Sequence, residues 1–239
     1  MARKYYRSTG LNLINRASME GSVLFSLRLS LQVASVSTAL IMLTGIPLAY
    51  VLARRDFRGK ELLDVLCTLP LVLPPTVTGY YLIVLFGRNG FIGRLIYAWT
   101  GWSIMFTWYA AVLASYIVAL PLMIKTTRAA LESVDKNLIK ASYTLGHSDF
   151  ETALKVILPL AKRGIVAGTV LSFARAMGEF GATLMLAGNL PGRTDTMPIA
   201  IYSLAGGGEW SKAHFMVVLM TAMSGVFLYI ANKYTKRII

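Results

Sequence analysis

This chain carries little charge for its length, and several classes of function are excluded by what it lacks. Only 15% of its 239 residues are Asp, Glu, Lys or Arg, whereas a soluble domain usually carries about 25%. Its single cysteine, Cys67, excludes an intramolecular disulfide, and its two histidines, His147 and His214, lie far apart in the sequence, which argues against a metal site. No Gly-x-x-x-x-Gly-Lys-Ser/Thr loop is present, so we expect this chain to bind neither ATP nor any other cofactor.

Long apolar runs make up much of the sequence instead. Hydrophobic residues account for 56% of the chain, and the mean hydropathy is +0.60. A helix needs about 20 apolar residues to cross a bilayer. Runs near that length predict an all-α integral membrane protein with about five transmembrane helices. The predicted spans are 31–53 (with a possible extension back to Ser22), 65–87, a stretch within 95–124, 164–187 and 213–232.

The basic residues predict how these spans are oriented. If the polar segment 131–163 and the C-terminus share one side, that side receives 14 of the 24 Lys and Arg residues and the other side receives 8. The positive-inside rule then places segment 131–163 and the C-terminus in the cytoplasm. The basic N-terminal tail, 1–21, argues against this orientation. We expect a membrane domain over 22–233 and a short cytoplasmic tail over 234–239.

The net charge of +13 needs no nucleic-acid partner, because the topology of a membrane protein accounts for most of it. The expected surroundings are therefore a lipid bilayer.

The polar segment 131–163 predicts two short helices that meet at a glycine corner. Gly146 can take the left-handed conformation that ends a helix, and Ser148 with Glu151 forms a capping-box pattern that starts the next one. Pro159 is predicted to end that second helix. Such a corner either docks in a groove of a partner or is an ordinary interfacial loop. Apolar residues at helical spacing predict one face of the first helix, at Leu131, Val134, Leu138, Ser142 and Leu145.

The spacing of this segment resembles the cytoplasmic coupling loop of the permease subunits of type I ABC importers. That family's motif begins Glu-Ala-Ala, has a glycine four residues after the second alanine, and ends Ile-x-Leu-Pro. Here the acidic residue is replaced by Lys140 and the isoleucine by Val156, while the spacing from glycine to Leu-Pro is kept. The resemblance implies that the ATPase is contacted by Lys140, Ala141, Ser142, Leu145, Gly146, His147, Ser148, Glu151, Leu158 and Pro159.

The second predicted span is interrupted by adjacent prolines. Pro74 and Pro75 remove two backbone donors, which membrane helices tolerate mainly where the freed groups face protein or water. The hydroxyls of Thr76 and Thr78, followed by Gly79, would then line a transport pathway. The alternative is a simple kink that packs one helix around another.

The fourth predicted span combines small residues with a charged pair. Small residues recur every four positions, which lets neighbouring helices approach closely in lipid. Arg175 and Glu179 lie one turn apart and can neutralise each other. They are either part of a gate or a structural pair that fixes the rotation of the helix, and the second reading is favoured. The remaining pathway candidates on this span are Gly178, Gly181 and Thr183.

The segment 175–183, with Ala-Gly-Asn at 187–189 and Pro-Gly-Arg-Thr at 191–194, resembles the molybdate branch of these permeases. Sulfate permeases are close relatives with similar segments, and tungstate is a possible substrate. The resemblance implies a homodimeric permease in the inner membrane of a prokaryote, working by alternating access. Its implied partners are a second copy of itself, two cytoplasmic ATP-binding subunits and an extracytoplasmic oxyanion-binding protein.

The residues argue against two other classes of function. A self-contained channel or secondary transporter would need ionisable residues in several spans, yet only Arg175 and Glu179 lie securely inside one. A membrane enzyme would need a cluster of His, Asp or Cys near one membrane face, and the sequence shows none. Both alternatives leave the capped helical corner without a role.

Overall fold

A computed structural model describes the backbone of residues 2–237 and the side chains of residues 21–231 and 233. Within that part of the chain the protein is all-helical. The elements in chain order are α1 (Ala2–Arg54), α2 (Lys60–Val72), α3 (Pro75–Phe86), α4 (Gly93–Thr100), α5 (Trp108–Glu132), α6 (Lys136–Thr144), α7 (Asp149–Thr152), a π-helical turn (Ala153–Ile157), α8 (Leu158–Met177), α9 (Gly181–Ala187), α10 (Met197–Gly206) and α11 (Trp210–Arg237).

Four helical segments in the described residues are long and apolar enough to cross a membrane: Gly21–Arg54, Trp108–Glu132, Asp149–Met177 and Trp210–Ala231. The first and last predicted spans, 31–53 and 213–232, fall within α1 and α11. The third predicted span corresponds to α5, and α4 is a separate short helix that precedes it. The backbone of the predicted tail is continuous with the first span from Ala2 onward, and the tail's side chains up to residue 20 lie outside the described residues.

The second predicted span is two helices, as its prolines indicate. α2 ends at Val72, and Leu73 is extended, with ψ 142°, which is the conformation favoured for a residue that precedes proline. Pro75 then opens α3, where its missing N–H is no loss because the first turn of a helix has unpaired donors. The expectation of a disrupted span is confirmed.

The fourth span was predicted wrongly as one helix over 164–187. α8 extends further toward the N-terminus than predicted and stops at Met177, and a separate short helix, α9, begins at Gly181. Phe180 departs from helical geometry, with φ −126° and ψ −59°. Three consecutive linking residues without a proline separate the two helices, and a pattern of small residues carries no signal for such a break.

The central helix of the fold is α5. It packs against both α1 and α8, and alanines at its core allow those helices to come close. The small residues of α8 do the same from the other side: a Cβ at Gly168 would lie 2.9 Å from the Met123 sulfur, and the Ser172 hydroxyl donates to the Ala119 carbonyl at 3.4 Å. The predicted close helix approach is therefore present, and the neighbour is α5. Of the four candidate spans, α11 is the least buried.

Candidate coupling corner and helix-break region

α6 ends in a hydrogen-bonded glycine cap. Gly146 adopts φ +84°, and its N–H donates to the Tyr143 carbonyl at 3.0 Å. The next N–H, of His147, donates to the Ser142 carbonyl at 3.2 Å. These two bonds are the Schellman arrangement, in which a left-handed residue turns the chain back over the last helical turn. The predicted role of Gly146 in ending the helix is confirmed.

The next helix begins with the predicted capping box. The Ser148 N–H donates to the Glu151 carboxylate at 3.0 Å, and the Glu151 N–H donates to the Ser148 hydroxyl at 3.3 Å. Lys155 holds the same carboxylate at 3.2 Å from one turn later. The start of α7 is therefore specified by residues within one turn of it.

Pro159 does not end this second helix, which is a correction to the sequence prediction. The chain passes from α7 through a π-helical turn into α8 and stays helical from Asp149 to Met177. Pro159 sits in the first turn of α8, and the π turn before it shifts hydrogen bonding so that the Leu158 N–H donates to the Ala153 carbonyl. A local change of helical pitch thus accommodates the missing proline donor. The corner is consequently joined directly to a membrane span.

Hydroxyl groups connect the two helices of the corner. Ser142 on α6 shares a hydrogen bond of 2.9 Å with Thr152 on α7, and both residues are buried. The Ser142 hydroxyl also lies 3.2 Å from His147 Nδ1. Ser142 stands where the family motif has its second alanine, so this chain adds a polar tie at that position.

The corner divides into a buried face and an exposed face, and the predicted apolar face was partly wrong. Leu131, Val134 and Ser142 are buried, but Leu138 and Leu145 are 48% and 77% exposed. Helix periodicity alone does not say which apolar residues face the protein and which face outward. The buried side is completed by residues from α1, α5 and α8 in one core that includes Ala49, Leu52, Ile124, Ile139, Ile157 and Ala161.

An apolar groove of about 380 Å³ runs between the two helices of the corner on the exposed side. Five of the ten predicted coupling residues line it, namely Ala141, Ser142, Leu145, His147 and Pro159. Phe150, in the first turn of α7, is 72% exposed. The other five, Lys140, Gly146, Ser148, Glu151 and Leu158, do not line the groove, and Ser148 and Glu151 form the capping box instead. The groove is lined by Leu138, Ala141, Ser142, Leu145, His147, Lys155, Val156, Pro159 and Leu160.

One connection across the corner was missed by sequence reasoning. Arg55, just after α1, forms an ion pair of 3.0 Å with Asp149 at the start of α7. Tyr143 also interacts with Asp149, and that hydrogen bond is the main reason that the pKa of Tyr143 lies above its ordinary value. The paired residues Arg55 and Asp149 are 94 positions apart, so no local pattern reveals this contact.

The two interrupted spans meet at their breaks. α3 packs along α9, and two of the predicted pathway glycines lie in that contact. A Cβ at Gly79 would come 2.7 Å from Met185 Cβ, and one at Gly181 would come 2.9 Å from Pro75 Cβ. Of the other candidates, Thr78 and Thr183 are buried in the same region, whereas Pro74, Thr76 and Gly178 are exposed.

The predicted charged pair forms beside this contact. Arg175 Nη1 lies 2.8 Å from Glu179 Oε2, off the direction of a hydrogen bond, so the interaction is chiefly one of charge. Oε1 of the same carboxylate accepts the Ala182 N–H at 2.8 Å. Glu179 is 2% exposed, and the side chain of Arg175 is 30% exposed. The carboxylate therefore joins the end of α8 to the first turn of α9 across the break.

The described part of this region also contains hydroxyls with no hydrogen-bond partner. The Oγ1 atoms of Thr78 and Thr183 are both shielded from solvent and unpaired. Buried hydroxyls normally have a partner, so these two can accept or donate to a group that enters between the helices.

A family model described as the inner membrane component of binding-protein-dependent transport systems matches residues 45–238. The chain belongs to this family. It is 45% identical over 206 residues to the molybdenum transport system permease protein ModB of Escherichia coli K12, covering 85% of this chain and 90% of that one. It is 47% identical over 178 residues to ModB of Haemophilus influenzae, with coverage of 74% and 78%. The putative molybdenum permease YvgM of Bacillus subtilis is 41% identical over 84% of this chain and 88% of its own.

Solved structures of ABC importers share the fold. A chain of the inward-facing methionine ABC transporter MetNI superposes with a TM-score of 0.75 at 16% identity, covering 93% of this chain and 98% of that one. A chain of a bacterial alginate ABC importer superposes with a TM-score of 0.74 at 14% identity, covering 90% and 79%. At these identities the likeness concerns the fold, which is that of a type I ABC importer permease. By its family, its relatives and its apolar helices, the protein is a multi-pass membrane permease subunit rather than an enzyme.

Proposed function

We propose that this permease carries molybdate, or the chemically similar tungstate, into a prokaryotic cell as part of an ATP-driven importer. The observation that carries the substrate class is the 45% identity, over most of both chains, with a permease named for molybdenum transport. Sulfate has no observation in its favour beyond a general likeness of the branches, so it serves as the competitor in the test below.

The capped corner is the surface on which a cytoplasmic ATPase docks. Leu145 and Phe150 are 77% and 72% exposed on either side of Gly146, and an apolar groove lies beside them. Contiguous exposed apolar surface with a polar rim is typical of a protein interface. The helix that follows Ser148 continues into the membrane without interruption, so a push on the corner reaches α8 as a rigid element. Docking of the ATPase at the corner requires the corner to be cytoplasmic, and the distribution of basic residues predicts the same side for the C-terminus.

The contact between α3 and α9 is the part of this chain that borders the translocation pathway. Both helices follow breaks, and the unpaired hydroxyls of Thr78 and Thr183 lie there. On the outer side of α3, Tyr80 and Tyr81 are 59% and 54% exposed, which leaves that face open to a second copy of the chain. Two copies, two ATPases and an extracytoplasmic binding protein then form the working importer. Alternating access would follow from rotation of the paired spans as the ATPases close.

The test is uptake into proteoliposomes that contain this chain together with its partner ATPase and binding protein. We expect radiolabelled molybdate to accumulate only when ATP is present inside with the ATPase. An excess of unlabelled tungstate should abolish the signal, and an equal excess of sulfate should not. Uptake that sulfate suppresses as strongly as tungstate would assign the chain to sulfate. Molybdate flux that needs neither ATP nor the ATPase would contradict the importer proposal.

A further inference from the structure

A second cavity lies behind the corner, on the side away from the apolar groove. It measures about 260 Å³ and is bounded by the end of α1, by α6 and by the start of α7. Its lining is mainly polar, from Tyr50, Arg54, Arg55, Tyr143 and Asp149, with isoleucines of the core behind them. None of these polar side chains is among the residues proposed to contact the ATPase.

Arg54 lines this cavity and has two hydrogen-bond donors without a partner. Its Nε and Nη2 atoms are shielded from solvent and have no hydrogen-bond partner in the described residues. These two nitrogens form the side-on edge of the guanidinium, whose parallel N–H groups match two oxygens of a phosphate or carboxylate. Arg54 is the last residue of α1, so its charge also interacts favourably with the helix dipole. That interaction does not give either nitrogen a hydrogen-bond acceptor. A cation whose donors have lost water and gained no acceptor is destabilising unless a ligand completes it.

The one carboxylate of the cavity is already engaged. Asp149 pairs with Arg55 at 3.0 Å and interacts with Tyr143, whereas no carboxylate of the described residues pairs with Arg54. The residues that line the cavity therefore carry one positive charge in excess, and Tyr50 and Tyr143 line it beside them. Its ligand should be an anion with several oxygens.

The position along the chain indicates where that anion comes from. Arg54 closes the apolar span Gly21–Arg54, and the residues after it, through Gly59, are exposed and nonhelical. The end of a membrane helix lies at the level of the lipid headgroups, and basic pockets between helices at the cytoplasmic face are suited to phosphate headgroups. We propose that this cavity binds a phosphate group, supplied by an anionic lipid or by free phosphate, which links Arg54 to the coupling corner. Only the naming of this face as cytoplasmic rests on the proposed function.

The experiment measures binding to the purified chain alone, so its failure leaves the transport proposal untouched. Native mass spectrometry in a neutral detergent would titrate phosphatidylglycerol, with phosphatidylcholine as the zwitterionic reference and inorganic phosphate as the free ligand. We expect Arg54→Gln to weaken phosphatidylglycerol binding about tenfold or more, because the two charged hydrogen bonds are lost. The matched control is Arg58→Gln, which removes an exposed arginine from the same linker and should leave binding unchanged.

A second variant guards against misfolding. Arg54→Lys keeps the charge but lacks the side-on pair of donors, and it should also weaken binding while melting at the temperature of the wild type. If inorganic phosphate binds in an Arg54-dependent way and the lipid does not, the cavity is a phosphate site whose ligand is soluble and not a lipid. Equal binding by wild type and both Arg54 variants would overturn the proposal. So would a result in which Arg54→Gln affects only co-purification of the ATPase, because an acidic side chain of that partner would then occupy the cavity.

Discussion

Gly181 at the start of α9 lies directly against Pro75 at the start of α3. A Cβ at position 181 would come 2.9 Å from Pro75 Cβ and 3.3 Å from the Thr76 backbone nitrogen. The break before α9 therefore packs against the break before α3. Neither helix can slide along the other without losing this contact. Two interruptions that are far apart in the sequence thus form one structural unit.

The first prediction concerns the close approach of these helices. Gly79→Ala should destabilise the protein by roughly 1–3 kcal/mol, the usual effect of overpacking. The added methyl would lie 2.9 Å from the Ala182 Cα, which is backbone and cannot rotate away. Thermal unfolding of the purified chain, followed by intrinsic fluorescence, would measure the shift, and molybdate uptake should fall with it.

The control for this prediction is Gly225→Ala in α11. Position 225 is helical, and a Cβ there would meet nothing within 4 Å. The same substitution should therefore be neutral or slightly stabilising, because alanine has the higher helix propensity. If Gly79→Ala melts at the temperature of Gly225→Ala, the contact between α3 and α9 is not as tight as the structure has it.

The second prediction concerns the glycine cap of the corner. Gly146→Val should impair ATPase binding and transport without preventing membrane insertion. The reason is backbone strain, since φ is +84° and a Cβ at this position would meet nothing within 4 Å. A left-handed conformation costs a residue with a Cβ about 1–2 kcal/mol, and a β-branched side chain tolerates it worst. Co-purification of the ATPase with the chain in detergent is the direct measurement.

Two variants separate strain at the corner from strain in general. Gly146→Asn should retain most of the binding, because asparagine enters the left-handed region readily. Gly101→Val introduces comparable strain at φ +65°, also in open space, but in the loop after α4. It should leave ATPase binding intact. Transport at the wild-type rate by Gly146→Val would count against the docking role of the corner.

Features that depend on a few neighbouring residues could be predicted from the sequence. The glycine cap at Gly146, the capping box of Ser148 and Glu151, and the break before Pro75 all follow from side chains within one turn of the feature. In each case backbone stereochemistry or a local hydrogen bond decides the conformation, so the sequence pattern is sufficient.

Features that depend on packing could not be predicted in the same way. The break after Met177 has no proline to mark it, and the π turn before Pro159 hides the effect of a proline that is present. Leu145 has the spacing of a core residue, yet it is exposed because its apolar face is turned toward the groove. The pairing of Gly79 and Gly181 with residues on the opposite helix joins distant parts of the chain. A single sequence carries no signal for such contacts.

The third prediction concerns the hydrogen bond between hydroxyls of the two helices of the corner. Thr152→Val should destabilise the corner by about 1 kcal/mol, because it removes the buried hydrogen bond of 2.9 Å and leaves the Ser142 hydroxyl with His147 Nδ1 alone. The double variant with Ser142→Ala should be less destabilised than the sum of the two single variants, since both polar groups are then removed together. Thr144→Val, at an exposed position of α6, provides the control. If the shift in melting temperature of the double variant equals the sum of the shifts of the two single variants, the two hydroxyls do not interact.

The last prediction concerns the charged pair at the second break. Glu179→Ala removes both the ion pair with Arg175 and the acceptor of the Ala182 N–H, whereas Glu179→Gln keeps an oxygen for that N–H and loses only the charge. We therefore expect both variants to be less stable than the wild type, by roughly 1–3 kcal/mol or more, with alanine the worse of the two.

The double variant Arg175→Met with Glu179→Gln distinguishes a structural pair from a gate. Removing both charges leaves no uncompensated ion, so stability should recover relative to Glu179→Gln alone. If the pair only fixes the geometry of the break, molybdate uptake should recover along with the melting temperature. If stability returns while uptake stays low, the charges themselves act on the transported anion, and the assignment of a purely structural role to Arg175 and Glu179 is wrong.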